Sequence, residues 1–188
     1  NNHQGSLEIP KELIDSCINA NVDCIKFQMR TMSSLYNNDG DSSDISSDLG
    51  DQYTLDLLSK FQLSDQDLFK AFDYCIEKGA IPLCTPWDID SLNKLEDYGM
   101  PAYKIASADF TNYELLEAAA KTFKPLFCST GMSTEREIIE SSNFLRNLGS
   151  QCIYLHCNST YPTPFKDINL NYLSHLKDVT KSMVGYSG

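Results

Sequence analysis

Two lysines stand inside otherwise apolar runs of this chain: Lys26 in Val22-Asp23-Cys24-Ile25-Lys26-Phe27-Gln28, and Lys104 in Ala102-Tyr103-Lys104-Ile105-Ala106. Strand alternation puts Cys24, Lys26 and Gln28 on one face and Ile25 and Phe27 on the other. A lysine in mid-strand loses hydration unless an anion meets it. For one such lysine, a stem lying along apolar surface or a structural ion pair explains as much as a binding role. Two at equivalent positions of neighbouring strands, each followed by small polar groups, favour a shared anion site. Ser129-Thr130-Gly131-Met132-Ser133 adds hydroxyls and a glycine at a strand end, where backbone N–H groups can approach a phosphate. By itself that pattern is common in loops. Thr85-Pro86-Trp87 and Ala106-Ser107-Ala108 bring further hydroxyls to strand ends. His156 reads as a satisfied core residue rather than a ligand, and His175 as a surface residue of a helix. His3, beside Asn2, lies on a loop able to approach the same face. No Ser-His-Asp order, zinc spacing or metalloprotease helix is present.

The elements that must position these groups alternate along the chain. Strands are expected at 22–28, 81–85, 102–106, 126–130, 152–157 and 183–186. Helices are expected at 7–19, 65–78, 90–98, 113–121, 134–148 and 170–179. Ser64 supplies an N-cap, and Gly79, Gly99 and Gly149 supply helix stops. Strands alternating with helices of this length form right-handed βαβ units and a parallel sheet. A (β/α)8 barrel and a doubly wound open sheet both fit. No Gly-x-Gly-x-x-Gly follows a strand, which weakens the nucleotide-binding open sheet. Polar residues at the C-terminal ends of nearly every strand favour the barrel, whose active sites are built there. Six strands are found where a barrel needs eight, so residues 1–188 are expected to form a partial barrel. Residues 29–52, rich in Asn, Asp, Gly and Ser, read as a lid or edge above that face.

Net charge is −11, which argues against nucleic acid or an anionic membrane as partner. An anion would have to be held by a few placed lysines and N–H groups. No apolar run is long enough to span a membrane, and no secretory signal is visible. The seven cysteines form no Cys-x-x-Cys and mostly sit in apolar runs, so reduced, buried thiols and a cytoplasmic location are expected.

Taken in order, Asn2-His3-Gln4-Gly5-Ser6, Lys26-Phe27-Gln28, Thr85-Pro86-Trp87-Asp88, Pro101 to Ser107, Ser129-Thr130-Gly131-Met132, His156 to Pro162 and Val184-Gly185-Tyr186-Ser187-Gly188 resemble the successive motifs of the sialic acid synthases, the N-acetylneuraminate synthase family. The resemblance runs from Asn2 to Gly188. It implies a (β/α)8 TIM barrel with a C-terminal antifreeze-like domain, in a homodimer where that domain covers the partner's active site. It implies condensation of phosphoenolpyruvate with N-acetylmannosamine or its 6-phosphate, giving N-acetylneuraminate or its 9-phosphate plus phosphate. A divalent metal, Mn2+ or Mg2+, would orient the aldehyde and activate water. By resemblance, Lys26, Thr85 and Lys104 hold the carboxylate, with the two lysines as the catalytic pair. Ser107, Ser129, Ser159 and Ser187 hold the phosphate, and Gln28 and Tyr161 face the sugar.

The resemblance also implies parts that these residues do not contain: a first-strand acid, metal ligands just after Gly188, and the small domain. From this, the chain alone is expected to bind manganese poorly and to be inactive, which a manganese titration checks. Legionaminic or pseudaminic acid synthesis remains an alternative. Synthases of deoxy-heptulosonate or deoxy-octulosonate phosphates share the barrel and the lysines, but the Tyr-Pro-x-Pro and Gly-Tyr-Ser segments do not resemble theirs. A non-catalytic sugar- or partner-binding barrel is the remaining rival, and the retained lysines and Ser129 argue against it.

Overall fold

The computed structural model describes residues 5–32, 60–160 and 162–188. The elements run α1 (Glu8–Asn19), β1 (Cys24–Met29), α2 (Asp65–Glu77), β2 (Ile81–Pro86), α3 (Ile89–Tyr98), β3 (Tyr103–Ile105), α4 (Tyr113–Ala120), β4 (Leu126–Ser129), α5 (Glu135–Asn147), β5 (Cys152–Cys157), α6 (Tyr172–Thr180) and β6 (Met183–Ser187). Short 3-10 turns at Ser107–Asp109 and Phe165–Asp167 follow β3 and β5. The six strands form one sheet in the order β1-β2-β3-β4-β5-β6. The registered pairs from β2 to β6 are parallel. Each βα unit therefore adds its strand on the same side as the last. A doubly wound sheet reverses direction at a switch point, and this order has none. The fold is that of a (β/α)8 barrel, with six of its strands in these residues.

The chain forms two compact units, and β1 and β2 contribute residues to both. In the first, α1 and α2 pack through Ile14, Ala71 and Cys75, with Ile18, Tyr74, Ile25 and Phe27 around them. Phe27 meets Phe72 edge to face, with centroids 5.1 Å apart. In the second, α3 to α6 cover a core that includes Leu92, Leu95, Tyr103, Ile105, Leu115, Leu126, Cys128, Leu145, Tyr154 and Leu176, all buried.

Most helix starts are set by side chains that accept the unpaired N–H groups of a first turn. Ser64 Oγ accepts from Asp67 N at 3.1 Å, and Asp88 Oδ1 accepts from Ser91 N at 2.7 Å. Thr134 and Glu137 form a reciprocal capping box on α5, with Thr134 N donating to Glu137 Oε2 at 2.7 Å. Thr134→Ala is expected to destabilise the protein by about 1 kcal/mol. A urea midpoint unchanged from wild type would contradict this. Gly99 ends α3 with φ +86°, as expected. Helix α2 instead caps on Lys78, and Gly79 supplies the left-handed residue just beyond. Strand β3 is shorter than expected, because the chain leaves the ladder at Ala106 to enter the 3-10 turn.

All seven cysteines are free thiols. Their expected burial is only partly met: Cys75, Cys84 and Cys128 are buried, while Cys24 is exposed. The reason is alternation, since Cys24 shares its face of β1 with Lys26 and Gln28. Among the described residues no helix is long and apolar enough to cross a membrane. The lid expected at 29–52 lies outside the described residues from position 33 onward, as does His3.

Candidate functional site

The registers divide the side chains of β2 to β6 into two sets. Cys84 pairs with Tyr103, Lys104 with Phe127, Ser129 with Leu155 and Cys157 with Ser187. Tyr103, Ile105, Leu126, Cys128 and Tyr154 lie on the helix side and are buried. Tyr103 donates its hydroxyl to Glu96 on α3, which also pairs with Lys124 at 2.6 Å. Burial and this carboxylate push the Tyr103 phenol well up. His156 is on the same side. Its Nε2 meets the Ile168 carbonyl at 2.7 Å, and its ring lies against Tyr172 and Tyr186. It is a structural residue, as expected. His175 is exposed and pairs with Glu135 at 2.5 Å.

The opposite face carries Thr85 on β2, Lys104 on β3, Ser129 on β4 and Ser187 on β6. Lys104 is 8% exposed and Ser129 4%. The Lys104 ammonium donates to Ser129 Oγ and, at 3.2 Å, to the Ile105 carbonyl. Because Ser129 Oγ accepts from the lysine, its own O–H is directed to another acceptor. Thr85 is 3% exposed on β2. Ser107 is half-buried in the turn after β3, and Ser187 is half-buried at the end of β6.

The turn after β4 is held in place by β5. Thr130 N and Thr130 Oγ1 both donate to the Leu155 carbonyl, at 3.0 and 3.1 Å. Ser159 Oγ donates to the Gly131 carbonyl at 3.2 Å. The β5 backbone comes so close that a Cβ on Gly131 would lie 2.7 Å from the Cys157 carbonyl oxygen. Beside this turn, the buried atoms Ser133 Oγ and Asn158 Oδ1 have no hydrogen-bond partner. Asp109, in the turn after Ser107, has its carboxyl pushed up by burial.

At the end of β1, Gln28 is exposed and hydrogen-bonded to Trp87, which follows β2, at 3.2 Å. Lys26 lies two residues earlier in β1, also exposed, on the side away from Ile25 and Phe27. The structure thus joins Lys104 to Ser129, and Ser159 to the turn that Ser129 begins. Thr85 and Ser187 share their face. Tyr161 lies outside the described residues. Sequence reasoning missed Arg30, which also binds Gln28, although it continues the spacing of two through 24, 26 and 28. Among the described residues, no three His, Cys, Asp or Glu side chains converge as a metal site.

The NeuB family profile matches residues 13–188. An uncharacterized protein of Methanocaldococcus jannaschii is 38% identical over 99% of this chain and 52% of its own length. The N,N'-diacetyllegionaminic acid synthase of Campylobacter jejuni is 32% identical over 99% of this chain and 57% of its own length. The crystal structure of N-acetylneuraminic acid (sialic acid) synthetase from Leptospira borgpetersenii superposes with a TM-score of 0.87 at 28% identity. That match covers 98% of this chain and 61% of the synthetase chain. The chain spans about half the length of the curated relatives it matches. With the profile covering nearly all of its residues, and the strand order and open-face polar groups described above, this chain belongs to the NeuB family.

Proposed function

We propose that the protein condenses phosphoenolpyruvate with an N-acylated amino sugar, N-acetylmannosamine or its 6-phosphate, to give N-acetylneuraminate or its 9-phosphate. The observation that carries this is the buried Lys104–Ser129 pair at the mouth of the Ser129–Gly131 turn. A cation and a hydroxyl held there suit a small dianion in a chain whose overall charge is −11. The orphaned Ser133 and Asn158 atoms beside the turn are further polar groups suited to a polar ligand.

In the proposed reaction, C3 of phosphoenolpyruvate forms a bond to the aldehyde carbon of the open-chain sugar. The aldehyde oxygen takes a proton, water adds at C2, and inorganic phosphate leaves. Lys26, Thr85 and Lys104 hold the carboxylate. Ser107, Ser129, Ser159 and Ser187 hold the phosphate, and Gln28 and Tyr161 face the sugar. A divalent metal, manganese or magnesium, belongs to this reading. The described residues do not form a set that fits it, and no step is assigned through it. A homodimer and a cytoplasmic location belong to the same reading.

The second reading is a related nonulosonic acid synthase acting on a legionaminic or pseudaminic precursor. The Campylobacter relative's name favours it, and its identity to this chain is no lower than that of the Leptospira synthetase. Phosphate release by the full-length protein, with phosphoenolpyruvate, manganese and each acceptor in turn, separates the two. Release is expected with one amino sugar and not with arabinose or erythrose phosphates. Release only with those phosphates, or with no acceptor, would overturn the proposal.

A further inference from the structure

Gln28 has its side-chain oxygen committed twice. Oε1 accepts from Trp87 Nε1 at 3.2 Å and from the Arg30 guanidinium at 3.2 Å. The Arg30 guanidinium lies over the Trp87 ring, 5.0 Å from its centroid, so the two donors also brace each other. Backbone pairing fixes the same corner, with Trp87 N donating to the Met29 carbonyl at 3.0 Å. An indole N–H and a guanidinium can only donate. The amide atom facing them must therefore be oxygen, and the alternative flip would set an NH2 against two donors. The Gln28 amide thus has one allowed orientation, with its NH2 turned away from Trp87 and Arg30.

We propose that Trp87 and Arg30 are positioning residues that lock the Gln28 amide with its donor end toward the acceptor sugar. The sugar at this point must then offer a hydrogen-bond-accepting oxygen, a hydroxyl or an acyl carbonyl. This rests on the synthase reading, in which Gln28 faces the sugar. Specificity built on a fixed donor is sharp, because a ligand lacking the acceptor leaves the amide unpaired.

The test is steady-state kinetics of the full-length protein as wild type, Gln28→Glu, Trp87→Phe and the double variant. Glutamate can accept from both Trp87 and Arg30, so the corner stays intact, but it offers no donor. The sugar KM is expected to rise about tenfold or more in Gln28→Glu, with the phosphoenolpyruvate KM and Tm nearly unchanged. Trp87→Phe is expected to raise the sugar KM about threefold to tenfold. The double variant should be no worse than Gln28→Glu, because both changes act through one amide. An unchanged sugar KM in Gln28→Glu, or effects that multiply in the double variant, would overturn the proposal. If the wild type releases no phosphate with any acceptor, the synthase reading itself fails. Trp87, the sole tryptophan of this sequence, then gives an independent readout. The wild-type minus Trp87→Phe fluorescence is followed while N-acetylmannosamine is titrated. Saturation weakened about tenfold in Gln28→Glu supports the positioning role. Equal saturation, or none in wild type, overturns it.

Discussion

Lys104→Met is expected to lower phosphate release by the full-length protein about a thousandfold while leaving the fold intact. An ammonium about 4 Å from an anionic ligand is worth about 4 kcal/mol at an effective dielectric near 20. At about 1.4 kcal/mol per decade, that is close to three decades in rate or affinity. Lys104 is buried, and a methionine of similar length fills the same space. A far-UV circular dichroism spectrum like that of wild type is expected to show that the variant is folded. Lys104→Arg keeps the charge but brings a wider planar group into a confined place. It is expected to lose about tenfold, which separates shape from charge. Activity of Lys104→Met within tenfold of wild type would make the lysine structural and remove the anion site.

Gly131→Ala carries the second large effect, and here both stability and binding should fall. The glycine is needed for space and not for its torsion angle, since its φ is not positive. An added Cβ would lie 2.7 Å from the Cys157 carbonyl oxygen and 2.8 Å from its Sγ. The sulfur can rotate away; the carbonyl belongs to β5 and cannot. Relief must come from the Ser129–Ser133 turn moving off the strand, which pulls on the Thr130 and Ser159 hydrogen bonds. Overpacking of this kind costs about 1–3 kcal/mol, read as a lower urea midpoint. The phosphoenolpyruvate KM should rise about tenfold, with the sugar KM less affected. Adding Cys157→Ala should not rescue the variant, because the carbonyl remains. A variant as stable as wild type would show that the close approach is not required.

Much of this was legible from residue spacing. The period of two put Lys26 and Gln28 on one face and Ile25 and Phe27 on the other. The structure packs Ile25 and Phe27 against helices and leaves Lys26 and Gln28 exposed. The alternation of strands and helices marked the parallel sheet, and polar strand ends pointed to the barrel that the unreversed strand order shows. What spacing could not reach were contacts between strand ends and turns far apart in sequence. Gln28 meets Trp87 across 59 residues, and Ser159 meets Gly131 across 28. Both depend on the register of neighbouring strands, which no local pattern encodes. His156 was read correctly as structural, but its partner, the Ile168 carbonyl, sits in a loop without a sequence signature.

The most direct measurement follows the carbon atoms. Full-length protein is incubated with manganese, 13C3-labelled phosphoenolpyruvate and a single amino sugar, and the products are weighed by mass spectrometry. The account predicts an acid containing the whole acceptor plus three labelled carbons, formed in step with inorganic phosphate. Labelled pyruvate and phosphate without a joined product, for every amino sugar tried, would contradict it.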